Sequence, residues 1–255
     1  MKQTIQNIID TQNITTVFQP IFDVKHSTIL GYEALTRGPK NTKFESPERL
    51  FYYAREFGLL SELEILCRDK AINKFSHLSL TGQLFLNVSP MVLLNKNHPQ
   101  GETKRLIEQA GISCDNIVIE LSEKYPTPND NALCDALNKY KQFGFNVAID
   151  DLGVGYSGLK LWSQLQPDIV KIDQYFVRDC HKEPFKEKFL RAIFDLAKCT
   201  QAKVILEGIE THDEYLFLSN LGMQYAQGYY LAKPSEQPQL SFAEVEVVLP
   251  AQVTC

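Results

Sequence analysis

Between residues 17 and 231 short apolar runs alternate with longer amphipathic ones, and this alternation constrains the fold more than any other feature of the chain. Strands are predicted at 17–23, 29–36, 83–88, 117–121, 146–150, 169–172, 203–207 and 228–231. Runs such as Ile117-Val118-Ile119 and Val204-Ile205-Leu206 are apolar at consecutive positions, the pattern of strands covered on both faces. The stretches between them read as helices. Ser46-Pro47-Glu48 opens one with an N-cap followed by proline at the first helical position. It runs to Phe75, with a break near Gly58. Others are predicted at 101–110, 129–143, 158–165, 184–199 and 213–221, with Gly144 and Gly222 placed as C-caps. Eight strands alternating with helices over 255 residues predict an α/β fold, a closed (β/α)8 barrel.

One spacing breaks the ideal pattern. Only residues 24–28 separate the first two strands, whereas a parallel crossover needs about a dozen residues or more. The first pair is therefore expected to be an antiparallel hairpin, with residues 1–13 as a helix or cap outside the barrel.

Composition narrows the function classes. A chain 44% hydrophobic and 22% charged is that of a folded globular protein. A net charge of −5 argues against a binder of nucleic-acid polymers, which shows a basic stripe. No apolar run approaches the ~18 residues of a membrane span, and residues 1–16 lack a secretory h-region. The six cysteines (67, 114, 134, 180, 199 and 255) contain no C-x-x-C pair and read as mostly buried, reduced thiols of a cytoplasmic protein. With no low-complexity tract or composition shift, residues 1–255 are expected to form a single domain.

In a barrel of this kind chemistry collects at the C-terminal ends of the parallel strands. Those ends carry Glu33, Asn87, Glu120, Asp150-Asp151, Lys171 with Asp173, Glu207 with Glu210, and Gln227. One such residue is unremarkable, because a solvated strand end is polar by default. Asn87 alone reads as a turn cap, Asp150-Asp151 as a turn before glycine, and Lys171 as a salt-bridge partner of Asp173 or a neighbouring acid. Seven strands sharing the habit point to one cleft. Glu33, Glu120, Asp150, Asp151 and Glu207 cannot share it as anions without protons or cations. An all-oxygen set with one amide selects hard divalent ions such as Mg2+ or Mn2+. The histidines (26, 77, 98, 181 and 212) fall in loops and helices instead, which argues against Zn2+. Adjacent aspartates can serve two ions, the apparatus of phosphoester hydrolysis. The residues thus predict a two-metal phosphodiesterase or phosphatase.

Gly31-Tyr32-Glu33-Ala34-Leu35-Thr36-Arg37 resembles the signature that names the EAL-domain cyclic di-GMP phosphodiesterases. Phe18-Gln19-Pro20-Ile21 is similar to the family's opening strand, Leu86-Asn87-Val88-Ser89 to its asparagine motif, and Ile119-Glu120-Leu121-Ser122-Glu123 to its fourth-strand motif. Residues 150–157 (DDLGVGYS) resemble its DDFGTGYS loop. Val170-Lys171-Ile172-Asp173, Glu207-Gly208-Ile209-Glu210 and residues 227–234 (QGYYLAKP) complete a set in family order. The resemblance implies a stand-alone EAL domain, a barrel with an antiparallel first strand. It implies hydrolysis of cyclic di-GMP to linear pGpG with two divalent cations, Mg2+ or Mn2+. It implies that Glu33, Asn87, Glu120 and Asp150 hold one ion, and Asp150, Asp151 and Glu207 the other. Glu33, Lys171, Glu207 and Gln227 would be catalytic, Lys171 orienting or deprotonating the attacking water. Gln19, Leu35, Arg37, Asp173, Glu210 and Pro234 would contact substrate, and Glu123 would anchor the loop that begins at Asp151. A homodimer, a separate regulatory protein and an effect on biofilm or motility follow only from the resemblance.

Leu152, Val154 and Gly158 depart from the family's usual Phe, Thr and Ser, all in that loop. They leave open a second reading, a non-catalytic cyclic di-GMP receptor. A third reading is a Schiff-base lyase using Lys171. Trp162 and the pair Tyr229-Tyr230 are expected to serve packing. The tail from Phe242 either packs on the barrel or mediates contact.

Overall fold

The computed structural model describes residues 1–95, 101–122, 130–155 and 158–244. Eight strands close a barrel in sequence order: β1 (Thr15–Asp23), β2 (Thr28–Arg37), β3 (Gln83–Val88), β4 (Ile117–Ser122), β5 (Asn146–Leu152), β6 (Ile169–Ile172), β7 (Lys203–Leu206) and β8 (Tyr225–Ala226). The α-helices are α1 (Lys2–Asp10), α2 (Pro47–Glu56), α3 (Leu60–His77), α4 (Pro90–Leu93), α5 (Glu102–Gln109), α6 (Asp130–Gln142), α7 (Gly158–Leu165), α8 (Gln174–Val177), α9 (Pro184–Thr200) and α10 (His212–Leu221).

The short first connection has the predicted result. β1 runs antiparallel to both β2 and β8, and every other pairing is parallel. Helix α1 lies outside the barrel and packs Ile5 and Ile8 into a satellite core with Leu50, Ala54 and Leu63 of α2 and α3. Those two helices are separated at Gly58, whose φ of +71° ends the first. Ser46 stands at the N-cap of α2, but its side chain makes no capping bond. Trp162 is buried on α7, where its Nε1–H donates to Thr200 Oγ1 at 3.2 Å.

Three expectations are corrected. The eighth strand is Tyr225–Ala226, not 228–231. The apolar run Tyr229–Leu231 is a turn in which Leu231 N and Ala232 N both donate to Gly228 O. Gly228 packs backbone to backbone there, since a Cβ would lie 2.1 Å from Ile209 O. The cysteines are less buried than predicted: Cys134 and Cys180 are buried, Cys67 and Cys114 half-buried, and Cys199 exposed on α9. Tyr229 does not pack either, being 56% exposed, whereas Tyr230 packs against Tyr215. Of the two readings left open for the tail, its start packs on the barrel: Phe242 is buried edge-on against Phe22, with centroids 5.5 Å apart. Residues 245–255 lie outside the described residues.

The barrel's interior explains where the polar residues go. Ile21, Phe85, Val118, Ala148, Ile169 and Ile205, one from each of six strands, form their own buried cluster, flanked by Leu30 and Tyr225. Their strand neighbours, such as Leu84, Ile119, Val147, Val170 and Leu206, join the larger core under the helices. Strand side chains alternate faces, so two residues beyond each interior apolar position lies the next inward-facing one. Those next positions are Asn87, Glu120, Asp150, Lys171, Glu207 and Gln227, and Gln19 on the reversed strand. Among the described residues no helix is long and apolar enough to cross a membrane.

Candidate active site

The upper layer of the barrel is built around Lys171. Its side chain is wholly buried, and Nζ lies 2.7 Å from Glu207 Oε1, 2.8 Å from Glu120 Oε1, 3.1 Å from Asp150 Oδ1 and 3.3 Å from Glu33 Oε2. β6 thus supplies one cation to carboxylates from β2, β4, β5 and the end of β7. Of the salt-bridge partners open to Lys171, the neighbouring acids form and Asp173 does not; Asp173 Oδ1 instead accepts from Tyr175 N at 2.7 Å, capping α8.

Glu33 is fixed from three sides. Asn87 Nδ2 donates to Oε1 at 3.1 Å, and Gln227 Nε2 and Lys171 Nζ donate to Oε2 at 2.8 and 3.3 Å. Asn87 itself is exposed at the barrel mouth. Gln19 Nε2 donates to Ala232 O at 3.1 Å, tying β1 to the segment after β8.

Asp150 and Asp151 face one cluster although adjacent strand residues point to opposite faces. The β5–β6 register shifts between Ile149 and Leu152, and a bulge of this kind re-aims side chains. Asp151 takes a φ of +59°, the left-handed region a non-glycine residue occupies at a cost. Ser122 Oγ donates to Asp151 Oδ2 at 2.9 Å. As a result, one oxygen each from Asp150, Asp151 and Glu207 lie within 4.8 Å of one another.

Burial pushes Glu120 and Glu207 well above the ordinary carboxylate range, and Asp150 up to about 6. Neighbouring carboxylates add to that, and Lys171 opposes it. For Lys171 burial works against the charge, but the four carboxylates outweigh it and hold the ammonium well above the usual lysine value. A Schiff base needs a neutral, reachable amine; Lys171 is neither. One ammonium cannot neutralise five carboxylates, so the cluster takes up protons or cations. Glu120 Oε2 and Gln227 Oε1 are buried with no hydrogen-bond partner among the described residues. The all-oxygen donors, the surplus carboxylates and these unpartnered atoms fit hard divalent cations.

A cavity of about 440 Å3 adjoins the cluster through Asn87 and Ser122 and opens between β2, β3 and helices α2 and α3. Leu35 and Arg37 line it, both half-buried. Glu64 and Arg68 also line it, and the sequence reading missed them. They form a buried pair at 3.5 Å, one turn apart on α3, and Ser89 N donates to Glu64 Oε2 at 3.3 Å. Burial raises the Glu64 carboxyl, with Arg68 opposing. The available signal was an acid and an arginine at i, i+4 on the apolar face of a helix. Of the remaining predicted residues, Glu210 is exposed and pairs with Arg178 at 2.8 Å, and Pro234 is half-buried beside the Ser235–Phe18 bridge. Glu123 lies outside the described residues.

Comparison with known proteins agrees with the fold. The family model described as EAL domain matches residues 2–234. The chain is 30% identical over 239 residues to the probable cyclic di-GMP phosphodiesterase PdeI of Escherichia coli, covering 91% of this chain and 30% of that protein. It spans about a third of the length of the curated relatives it matches first. A standalone versatile EAL protein from Vibrio cholerae, in its c-di-GMP bound form, superposes with a TM-score of 0.77 at 30% identity, covering 91% of this chain and 98% of that one. The manganese/cy-diGMP complex of BlrP1 from Klebsiella pneumoniae superposes with a TM-score of 0.80 at 27% identity, covering 88% of this chain and 56% of that one.

Proposed function

We propose, for a chain that belongs to the EAL domain family, that the barrel mouth hydrolyses cyclic di-GMP to linear pGpG with two divalent cations, Mg2+ or Mn2+. The observation that carries this reading is the ring of Glu33, Glu120, Asp150 and Glu207 around buried Lys171, with Asp151 brought alongside by a bulge. The cyclic di-GMP named for the relatives and bound in the Vibrio and Klebsiella structures supplies the substrate.

Glu33, Asn87, Glu120 and Asp150 would hold one ion, and Asp150, Asp151 and Glu207 the second. Bound there, divalent cations polarise a phosphoryl oxygen and make water a better nucleophile. The chain's own groups do the positioning. Gln227 and Asn87 fix the Glu33 carboxylate from both oxygens. Lys171, buried beneath the site, would hold its positive charge under the cation positions and orient the attacking water through the four carboxylates it grips. The water oxygen bonds to phosphorus and gives up a proton, the ester bond to the ribose oxygen breaks, and that oxygen takes up a proton as it leaves, so the net result is one hydroxyl and one terminal phosphate. Arg37, at the edge of the cavity, suits a phosphate through its planar fork. Leu35 offers an apolar wall to a base, and Glu64 with Arg68 offers an acceptor and a donor at the cavity's buried side. Exposed Tyr229, just past Gln227, offers a stacking face for the other base. Gln19, Asp173, Glu210 and Pro234 would contact the substrate.

Of the three departures in the β5 loop, Leu152 is buried and pairs with Ile172, a packing position that leaves the acids untouched. The receptor reading and the enzyme reading separate in one assay. Purified wild type and Glu33→Ala are incubated with cyclic di-GMP and Mn2+, and products are resolved by chromatography. pGpG from wild type alone supports the proposal. Binding without turnover by either protein supports the receptor.

A further inference from the structure

We propose that the single turn α8 is a wedge that sets the spacing of the second cation site, with Phe176 and Gln174 as its positioning residues. The inference rests on the two-cation reading above.

Asp151 and Glu207 come from β5 and from the end of β7, which both flank β6 and do not pair with each other. No ladder bond joins the two strands directly. The chain that leaves β6 after Lys171 enters the gap as α8. A Cβ on Gly153, whose φ is +102°, would lie 2.3 Å from Phe176 Cε2. A Cβ on Gly208, whose φ is +70°, would lie 2.3 Å from Gln174 Cβ. Both loops therefore rest their backbones on α8, one two residues past Asp151 and the other one residue past Glu207.

The wedge is held rigidly. Asp173 caps its first turn. The Phe176 ring is 7% exposed and stacks on Phe189 of α9, with centroids 3.9 Å apart and planes 14° apart. Beyond it, Glu214 accepts from Asp179 N at 2.9 Å through Oε1, and from Glu210 N at 3.0 Å through Oε2. That carboxylate latches the segment after α8 to the loop after Glu207. Close-packed contacts transmit small displacements, and Asp151 in the left-handed region needs its surroundings to hold it. Small divalent cations demand near-ideal ligand geometry. The supports of metal ligands therefore affect affinity, typically by about 10–100-fold.

The test is calorimetric titration of the metal-stripped full chain with Mn2+, alongside thermal unfolding. Wild type is expected to show two binding steps, the second identified as the one that Asp151→Asn removes. Phe176→Leu is expected to weaken that step by about tenfold and to leave the other within about twofold. Gly208→Ala, which approaches the wedge from the other loop, is expected to do the same. Ile8→Ala, in the satellite core, supplies a variant of comparable thermal loss with both steps unchanged. Two wild-type steps with the second unaltered in Phe176→Leu would overturn the wedge alone. Equal weakening of both steps in Phe176→Leu and Ile8→Ala would overturn it as mere loosening. A single wild-type step would overturn the two-cation reading and the wedge with it.

Discussion

Lys171 on β6 and Glu120 on β4 meet inside the barrel at 2.8 Å, although β5 separates their strands in the sheet. Both side chains are wholly buried, so this pair spans the barrel's interior. Removing one member of a buried ion pair leaves the other charge uncompensated. Lys171→Met is expected to abolish turnover and to destabilise the metal-free protein by about 3 kcal/mol. Added Mn2+ should raise its melting temperature more than it raises that of wild type. A metal-free variant as stable as wild type would contradict the role assigned to this lysine.

Arg37 lies at the edge of the cavity next to the acids. A lysine in its place keeps the charge but loses the planar fork that binds phosphate bidentately. Arg37→Lys is expected to raise KM for cyclic di-GMP about tenfold, worth about 1.4 kcal/mol, with kcat changed far less. Initial-rate measurements over substrate concentration check it.

The exposure of Tyr229 separates stacking from packing. At 56% exposed its ring contributes little to the core. Tyr229→Ala is expected to leave the melting temperature within about a degree while weakening substrate by about tenfold, the worth of one base–aromatic stack. Thermal unfolding and KM are measured on the same preparation. A large thermal loss with unchanged KM would restore the packing reading.

Glu214 gives a pH prediction. Burial raises its carboxyl, but the N–H groups of Asp179, Glu210 and Thr211 and the Thr211 side chain together outweigh that, so its pKa lies below the ordinary value. A carboxyl lowered by folding stabilises the protein fully above its unfolded pKa, and that contribution is lost as pH falls through the folded value. Glu214→Gln is therefore expected to cost about 1–2 kcal/mol at pH 7. The deficit should shrink toward zero below about pH 4, where wild type loses the same charge. Urea unfolding of both proteins across pH 3–7 measures it.

Much of this architecture was legible before any coordinates. The five-residue gap at 24–28 forced the antiparallel hairpin, because chain length alone forbids a crossover. Asn87, Glu120, Asp150, Lys171 and Glu207 each sit two residues past an apolar position, so strand periodicity already aimed them at one another. The eighth strand misled, because the apolar run 228–231 owes its composition to packing around a turn at Gly228. The convergence of Asp150 and Asp151 was anticipated from their adjacency, but its cause, a bulge and a left-handed aspartate, has no signal in residue order. Glu64 and Arg68 went unseen because a single charged pair on a helix reads as a solvated face until the tertiary fold buries it.

The most direct test of the account is the rate of cyclic di-GMP cleavage by metal-stripped protein as Mn2+ is restored. The ring of oxygen donors predicts no cleavage in EDTA and a rise to saturation with added Mn2+, with pGpG as product. Cleavage that persists at full rate in EDTA would contradict it, as would a protein that binds Mn2+ and cyclic di-GMP together and leaves the dinucleotide intact.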